Sequence, residues 1–170
     1  AVGAVIDLGT EEGRAHVIDG FSTPEQVEAR HSSWSEGEVS TLTFPLRGKS
    51  RYLLTLLAEP YFHIQPVSLK LALNQQPLNG LDIKQGWHAY SVVVEPAAVQ
   101  DGNNELTLRY SKTARPADTE PGSSDMREIS VRFDQIQIQP LNDRLRLIFD
   151  ARNAFTRAAL GEGWGVDAAE

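Results

Sequence analysis

The chain contains no cysteine in 170 residues, which excludes a disulfide scaffold, a thiolate zinc site and a cysteine nucleophile. Absence of cysteine fits an oxidising compartment as well as it fits cytosol. No apolar run approaches the roughly 18 to 20 residues that a membrane-spanning helix requires, so no transmembrane segment is expected. Basic residues are outnumbered, 16 Lys and Arg against 23 Asp and Glu, for a net charge of -7. Broad binding to a phosphate backbone needs the opposite balance, and nucleic acid is therefore not an expected partner. The opening Ala1-Val2-Gly3-Ala4-Val5-Ile6 lacks a basic leader region and a cleavage pattern, and without an initial Met it reads as a processed or trimmed piece. Catalytic signatures are missing as well. There is no Gly-x-Ser-x-Gly elbow, no His-Glu-x-x-His, no phosphate-cradling glycine loop and no dinucleotide fingerprint. His16, His31, His63 and His88 are scattered without ligand spacing, and Glu11 and Glu12 are neighbours whose side chains diverge in an extended chain. No enzyme activity is expected.

What is present is a period of two. Leu42, Phe44 and Leu46 alternate with Thr41 and Thr43, and Val67, Leu69, Leu71 and Leu73 alternate with Ser68, Lys70 and Ala72. Tyr90, Val92 and Val94 share a face, as do Leu106, Leu108 and Tyr110 after the reversal around Asp101-Gly102-Asn103-Asn104. Tyr52 to Ala58 is almost continuously apolar, which suits a central strand covered on both sides. Val5, Ile6 and Leu8 read as a short first strand, and Asn74-Gln75-Gln76-Pro77 and Asn79-Gly80 as turns. Ile129, Val131 and Phe133 fall on odd positions but Ile136 and Ile138 on even ones, so one extra residue, a β-bulge, is predicted near Asp134 or Gln135. Between Ser111 and Ile129 no period is visible, and this stretch reads as a solvated connection. The fold class is all-β: a two-sheet antiparallel sandwich over residues 1–140. The facing pattern places Leu42, Phe44, Leu54, Leu56, Leu69, Leu71, Val92, Val94, Leu108, Val131 and Phe133 in its core.

After Pro140 the spacing changes. Leu141, Leu145, Ile148, Phe149, Phe155 and Ala159 fit a helix, with Asn142 or Asp143 to cap it and Gly161 to end it, although Leu145, Leu147 and Phe149 also alternate. Residues 141–170 are therefore expected to be a helical extension. Phe155, Leu160 and Trp164 are its candidate apolar anchors for a protein partner, with Arg152 and Arg157 at a polar rim.

Trp34-Ser35-Glu36-Gly37-Glu38 with the strand ending Phe44-Pro45-Leu46, then Gly86-Trp87-His88-Ala89-Tyr90, then Gly102-Asn103-Asn104-Glu105-Leu106, occur in an order and spacing that carry a resemblance. Together with Ile6-Asp7-Leu8-Gly9 and Ser124-Asp125-Met126-Arg127, they resemble a jelly-roll module of the galactose-binding-like and carbohydrate-binding domains attached to bacterial envelope proteins that process polysaccharide. Gly20-Phe21 stands where that pattern has Gly-Trp, and the tail lies outside it. The resemblance implies a non-catalytic carbohydrate-binding module at an extracytoplasmic location, periplasmic or cell-surface. The alternative is a structural accessory subunit making protein–protein contacts in a membrane-associated complex. Domains of this kind often carry a structural calcium, for which Asp7, Glu11 and Asp134 would supply hard oxygens, but nothing here resembles a dense calcium loop, and no cofactor is expected.

Sugar recognition uses flat aromatic faces against pyranose C–H surfaces and planar polar groups for the hydroxyls. The candidates are Trp34, Tyr61, Phe62 and His63, with Arg30, Arg115 and Asp125 as polar partners. Each has a structural alternative: Trp34 fills the end of the sandwich, and Tyr61 to His63 pack at an edge. Trp87, opening the next strand, is assigned to packing.

Overall fold

The computed structural model describes residues 2–141. Its alternating segments pair into two antiparallel sheets. The first has β3 (Glu25–Val27), β4 (Arg30–Glu36), β12 (Ile129–Pro140), β6 (Tyr52–Pro60) and β10 (His88–Val94) side by side, with β1 (Ala4–Asp7) added to β12. In the second, β2 (Val17–Asp19), β5 (Val39–Leu46), β11 (Gly102–Tyr110), β7 (Val67–Leu73) and β8 (Gln76–Pro77) lie in that order, with β9 (Leu81–Ile83) also on β7. All eleven predicted core residues are buried in one cluster between the sheets. Phe133 is central to it, meeting Phe21 edge-on at 5.8 Å and Tyr110 at 6.3 Å between ring centroids. The buried Tyr110 hydroxyl donates to Ser40 Oγ at 2.8 Å, so the one polar atom on that ring is satisfied.

The hairpin from β7 to β8 turns on Asn74 and Gln75, both at positive φ (50° and 68°), as a two-residue turn matched to strand twist demands. Strand β12 carries two irregularities. Against β4 the register shifts between Ile129 and Arg132, and the Val131 N–H finds Ser35 Oγ at 2.9 Å instead of a carbonyl. Against β6 it shifts between Phe133 and Gln135, which is the bulge that the change of parity requires. The second bulge also marks a change of neighbour: one edge of β12 pairs with β4 up to Phe133 and with β1 from Gln135 onward. Asp134 lies where those two strands part.

The connection between β11 and β12 is not merely solvated. A single helical turn (Pro116–Thr119), the Ala114–Ile129 bridge and the Ala117 N–H to the Asp125 carbonyl (2.8 Å) close it on itself. Arg127 then pins it, donating to both Asp125 oxygens and to Glu25 Oε1 at 2.5 Å. The Arg127 hydrogen bonds hold the Asp125 carboxyl below its ordinary range. A depressed carboxyl contributes stability at neutral pH that is lost as pH falls through its folded-state value. Asp125→Asn should therefore lower the melting temperature at pH 7, by no more than about 1 kcal/mol of stability for a part-exposed pair, and the gap to the parent should narrow as pH falls below the ordinary carboxylate range. A gap unchanged in acid would remove the ion pair as its cause.

Candidate functional site

Strands in a sandwich give one face to the core, so the chemistry is sought on the other. On β6 the inward residues are Tyr52, Leu54, Leu56 and Ala58, all buried, which turns Glu59 outward. On β12, Val131 and Phe133 point inward, which turns Arg132 outward. Register makes Arg132 the partner of Glu59 on one side and of Trp34 on the other. Trp87 directly precedes His88, which is paired with Ala58, so its indole arrives beside Glu59. Four segments remote in sequence thus meet on one outward face.

The meeting is a stack of cations and indoles. The Arg132 guanidinium lies 5.1 Å from the Trp34 ring and 5.1 Å from the Trp87 ring, and the Arg30 guanidinium lies 4.7 Å from the Trp87 ring. These are distances at which the negative face of an indole attracts a cation. Each guanidinium also has a carboxylate: Arg132 binds Glu59 and Arg30 binds Asp134. Planar groups are therefore fixed on both sides, and their rotamer freedom is already lost before any ligand arrives. Burial raises the pKa of Asp134, with the Arg30 charge pulling the other way.

A cleft flanks the stack at either end. The smaller, about 350 Å³, is lined by Trp34, Glu59, Tyr61, Phe62, Gln65 and Arg132 among others. The larger, about 640 Å³, opens where β1 and β4 part, with Asp7, Glu28, Arg30, His31, Asp134 and Gln135 around it. Both volumes fall within the range of about 300–1,000 Å³ typical of small-molecule sites. Two polar atoms of the smaller cleft's residues, Arg132 Nε and Gln65 Oε1, are buried beneath its surface without a hydrogen-bond partner.

The sequence candidates divide accordingly. Trp34 sits within β4, half-buried and edge-on to Tyr61 at 5.8 Å. Tyr61 is not an exposed platform: it is 4% exposed, and its hydroxyl is held by Thr119 Oγ1 (2.7 Å) and Glu120 Oε1 (2.6 Å) from the closed loop above it. Burial foremost, with help from Glu120, pushes its phenol upward. Phe62, 61% exposed, stands at the cleft with His63 edge-on beside it. Arg30 joins through Trp87. Arg115 and Asp125 do not join, because each is engaged within the loop, Arg115 with Glu128 at 2.8 Å and Asp125 with Arg127. Trp87, assigned to packing from sequence, is half-buried with two guanidiniums over its ring. Glu59, Arg132 and Asp134 complete the site. Their signal was a charge at a wet-parity position within an apolar strand, which shows that a side chain faces outward without showing what it meets. Phe155, Leu160, Trp164, Arg152 and Arg157 lie outside the described residues.

The oxygens considered for calcium are engaged or apart. Asp7 Oδ1 accepts the Gly9 N–H at 2.9 Å, Asp134 holds Arg30, Glu11 lies in a helical turn away from this cleft's lining, and no metal-binding group of three side chains forms among the described residues. Among those residues no helix is long and apolar enough to cross a membrane.

No protein-family profile and no curated protein matches the sequence. Solved structures do match its fold. The C-terminal CBM6 of LamC, a marine laminarinase from Zobellia galactanivorans, superposes with a TM-score of 0.52 at 12% identity, covering 81% of this chain and 99% of that one. A family 35 carbohydrate-binding module from Clostridium thermocellum gives 0.52 at 12% identity, over 83% of this chain and 100% of that one. Part of an exo-β-1,3-galactanase from Phanerochaete chrysosporium, solved with β-1,3-galactotriose, gives 0.50 at 13% identity over 82% of this chain and 29% of the enzyme. At such identities the likeness is one of architecture: this chain is a jelly-roll β-sandwich of the kind found in carbohydrate-binding modules.

Proposed function

We propose that the chain is a non-catalytic carbohydrate-binding module, working outside the cytoplasm, that takes a glycan across the outward face of its first sheet. One observation carries the reading: Trp34 and Trp87 are held beside ion-paired arginines between two clefts, on the face that the core does not use. The indole surface that the guanidiniums leave open, with the exposed Phe62 ring at the smaller cleft, supplies apolar contact for sugar C–H groups, and the fixed guanidinium and carboxylate groups supply hydroxyl partners. The fold shared with carbohydrate-binding modules supports it. The catalytic motifs missing from the sequence favour binding over turnover.

The test is a glycan-array screen followed by calorimetry on the best ligand. Trp87→Ala should weaken binding about thirtyfold, the cost of about 2 kcal/mol typical of a truncated tryptophan anchor. Trp34→Ala should weaken it about tenfold, and both variants should still melt cooperatively. A folded parent that binds no glycan, or variants that bind as the parent does, would reject the proposal.

A further inference from the structure

Charge on this face cancels in pairs. The side chains of Arg132 and Glu59 are 12% and 18% exposed, and those of Arg30 and Asp134 are 31% and 16% exposed. Glu59 and Arg132 are the charged residues lining the smaller cleft, which is therefore neutral. The larger cleft sets Asp7, Glu28 and Asp134 against Arg30, with His31 beside them, and is negative. Neither offers an uncompensated cation. An incoming carboxylate or sulfate would meet guanidiniums already neutralised and would still lose its own hydration, in a chain of net charge -7. A hydroxyl loses much less. It donates to a carboxylate and accepts from a guanidinium, and each charged group has sites left over after one pairing.

Resting on the glycan-binding reading, we infer that the ligand is a neutral glycan, whose hydroxyls bridge the Glu59–Arg132 and Arg30–Asp134 pairs on either side of Trp87, and that acidic glycans are rejected. The carboxylates of the two pairs act as the filter: they hold the arginines for hydroxyls and withhold them from anions.

Calorimetry on the intact chain distinguishes the possibilities, with tetrasaccharides of glucose, mannose, xylose and galactose as neutral probes and tetragalacturonate as the acidic one, at 50 and 500 mM NaCl. At least one neutral probe should bind with an affinity that changes less than twofold with salt, because no net charge is neutralised. Tetragalacturonate should bind at least tenfold more weakly. Glu59→Gln frees Arg132 and Asp134→Asn frees Arg30; each should raise tetragalacturonate affinity at least tenfold at 50 mM, with the gain lost at 500 mM. The second variant, at a more exposed pair, keeps the test open if the first fails to fold. Tetragalacturonate bound as tightly as the neutral probe by the parent, or no gain in a folded variant, overturns the inference while leaving glycan binding intact. A folded parent that binds none of the probes removes the glycan-binding reading itself.

Discussion

Leu71→Asp should leave no cooperatively folding protein. Leu71 lies on β7 with its side chain buried between the sheets, flanked by Leu69 and Leu73 on the same face. Removing it forfeits about 1.5 to 3 kcal/mol of apolar burial, and an unpaired carboxylate in its place adds several more. A domain of this kind has about 5 to 15 kcal/mol in hand. Lys70, one residue away, points to solvent, and Lys70→Ala should change stability by no more than about 0.5 kcal/mol. Urea and thermal melts of the pair decide it: two variants melting alike would mean that the assignment of inward and outward faces is wrong.

Phe133→Ala should be the most damaging truncation that still folds. The ring is fully buried and joins Phe21, under the first sheet, to Tyr110 of the second, so its loss opens a cavity that two separate strands would have to close together. Such truncations cost about 3 to 5 kcal/mol, which for a chain of this length lowers the melting temperature by about 10 °C. A loss below about 1 kcal/mol would show that the surrounding rings collapse into the space and that the core is far less rigid than its packing indicates.

The inward half of this molecule was legible because burial imposes a period. Leu42, Phe44, Leu69, Leu71, Val92, Val94 and Leu108 could be assigned from parity alone, and even the bulge near Asp134 was written in the switch from Phe133 to Ile136. The outward half was not. Parity shows that Arg132 and Glu59 leave the core but does not show that β6 and β12 are neighbours, and Trp34 and Trp87 share an arginine only because that pairing exists. The choice between packing and platform at Tyr61 was out of reach for the same reason: its cover comes from Thr119 and Glu120, 58 and 59 residues away in a stretch with no period to read. Trp87 does pack, as expected of an indole at a strand start, but against two arginines whose nearness no local pattern shows. Local pattern determines which way a side chain faces, and long-range register determines its company.

The antiparallel seam between β1 and β12 has a mechanical meaning. Ala4 lies opposite Ile138 and Asp7 opposite Gln135, so residues 2 and 141 lie at the same end of the sandwich, tied there by an isolated bridge to Arg47 and a hydrogen bond to Arg51. Tension applied between them loads the hydrogen bonds of the seam one after another, as a zipper opens, rather than all at once in shear. Once the Val2–Arg47 bridge gives way, opening begins at Ala4 and travels toward Asp134, while Arg132, Trp34 and Glu59 lie on the far side of the bulge, clamped by β4 and β6. A glycan anchored there would hold its grip while the first strand peeled away.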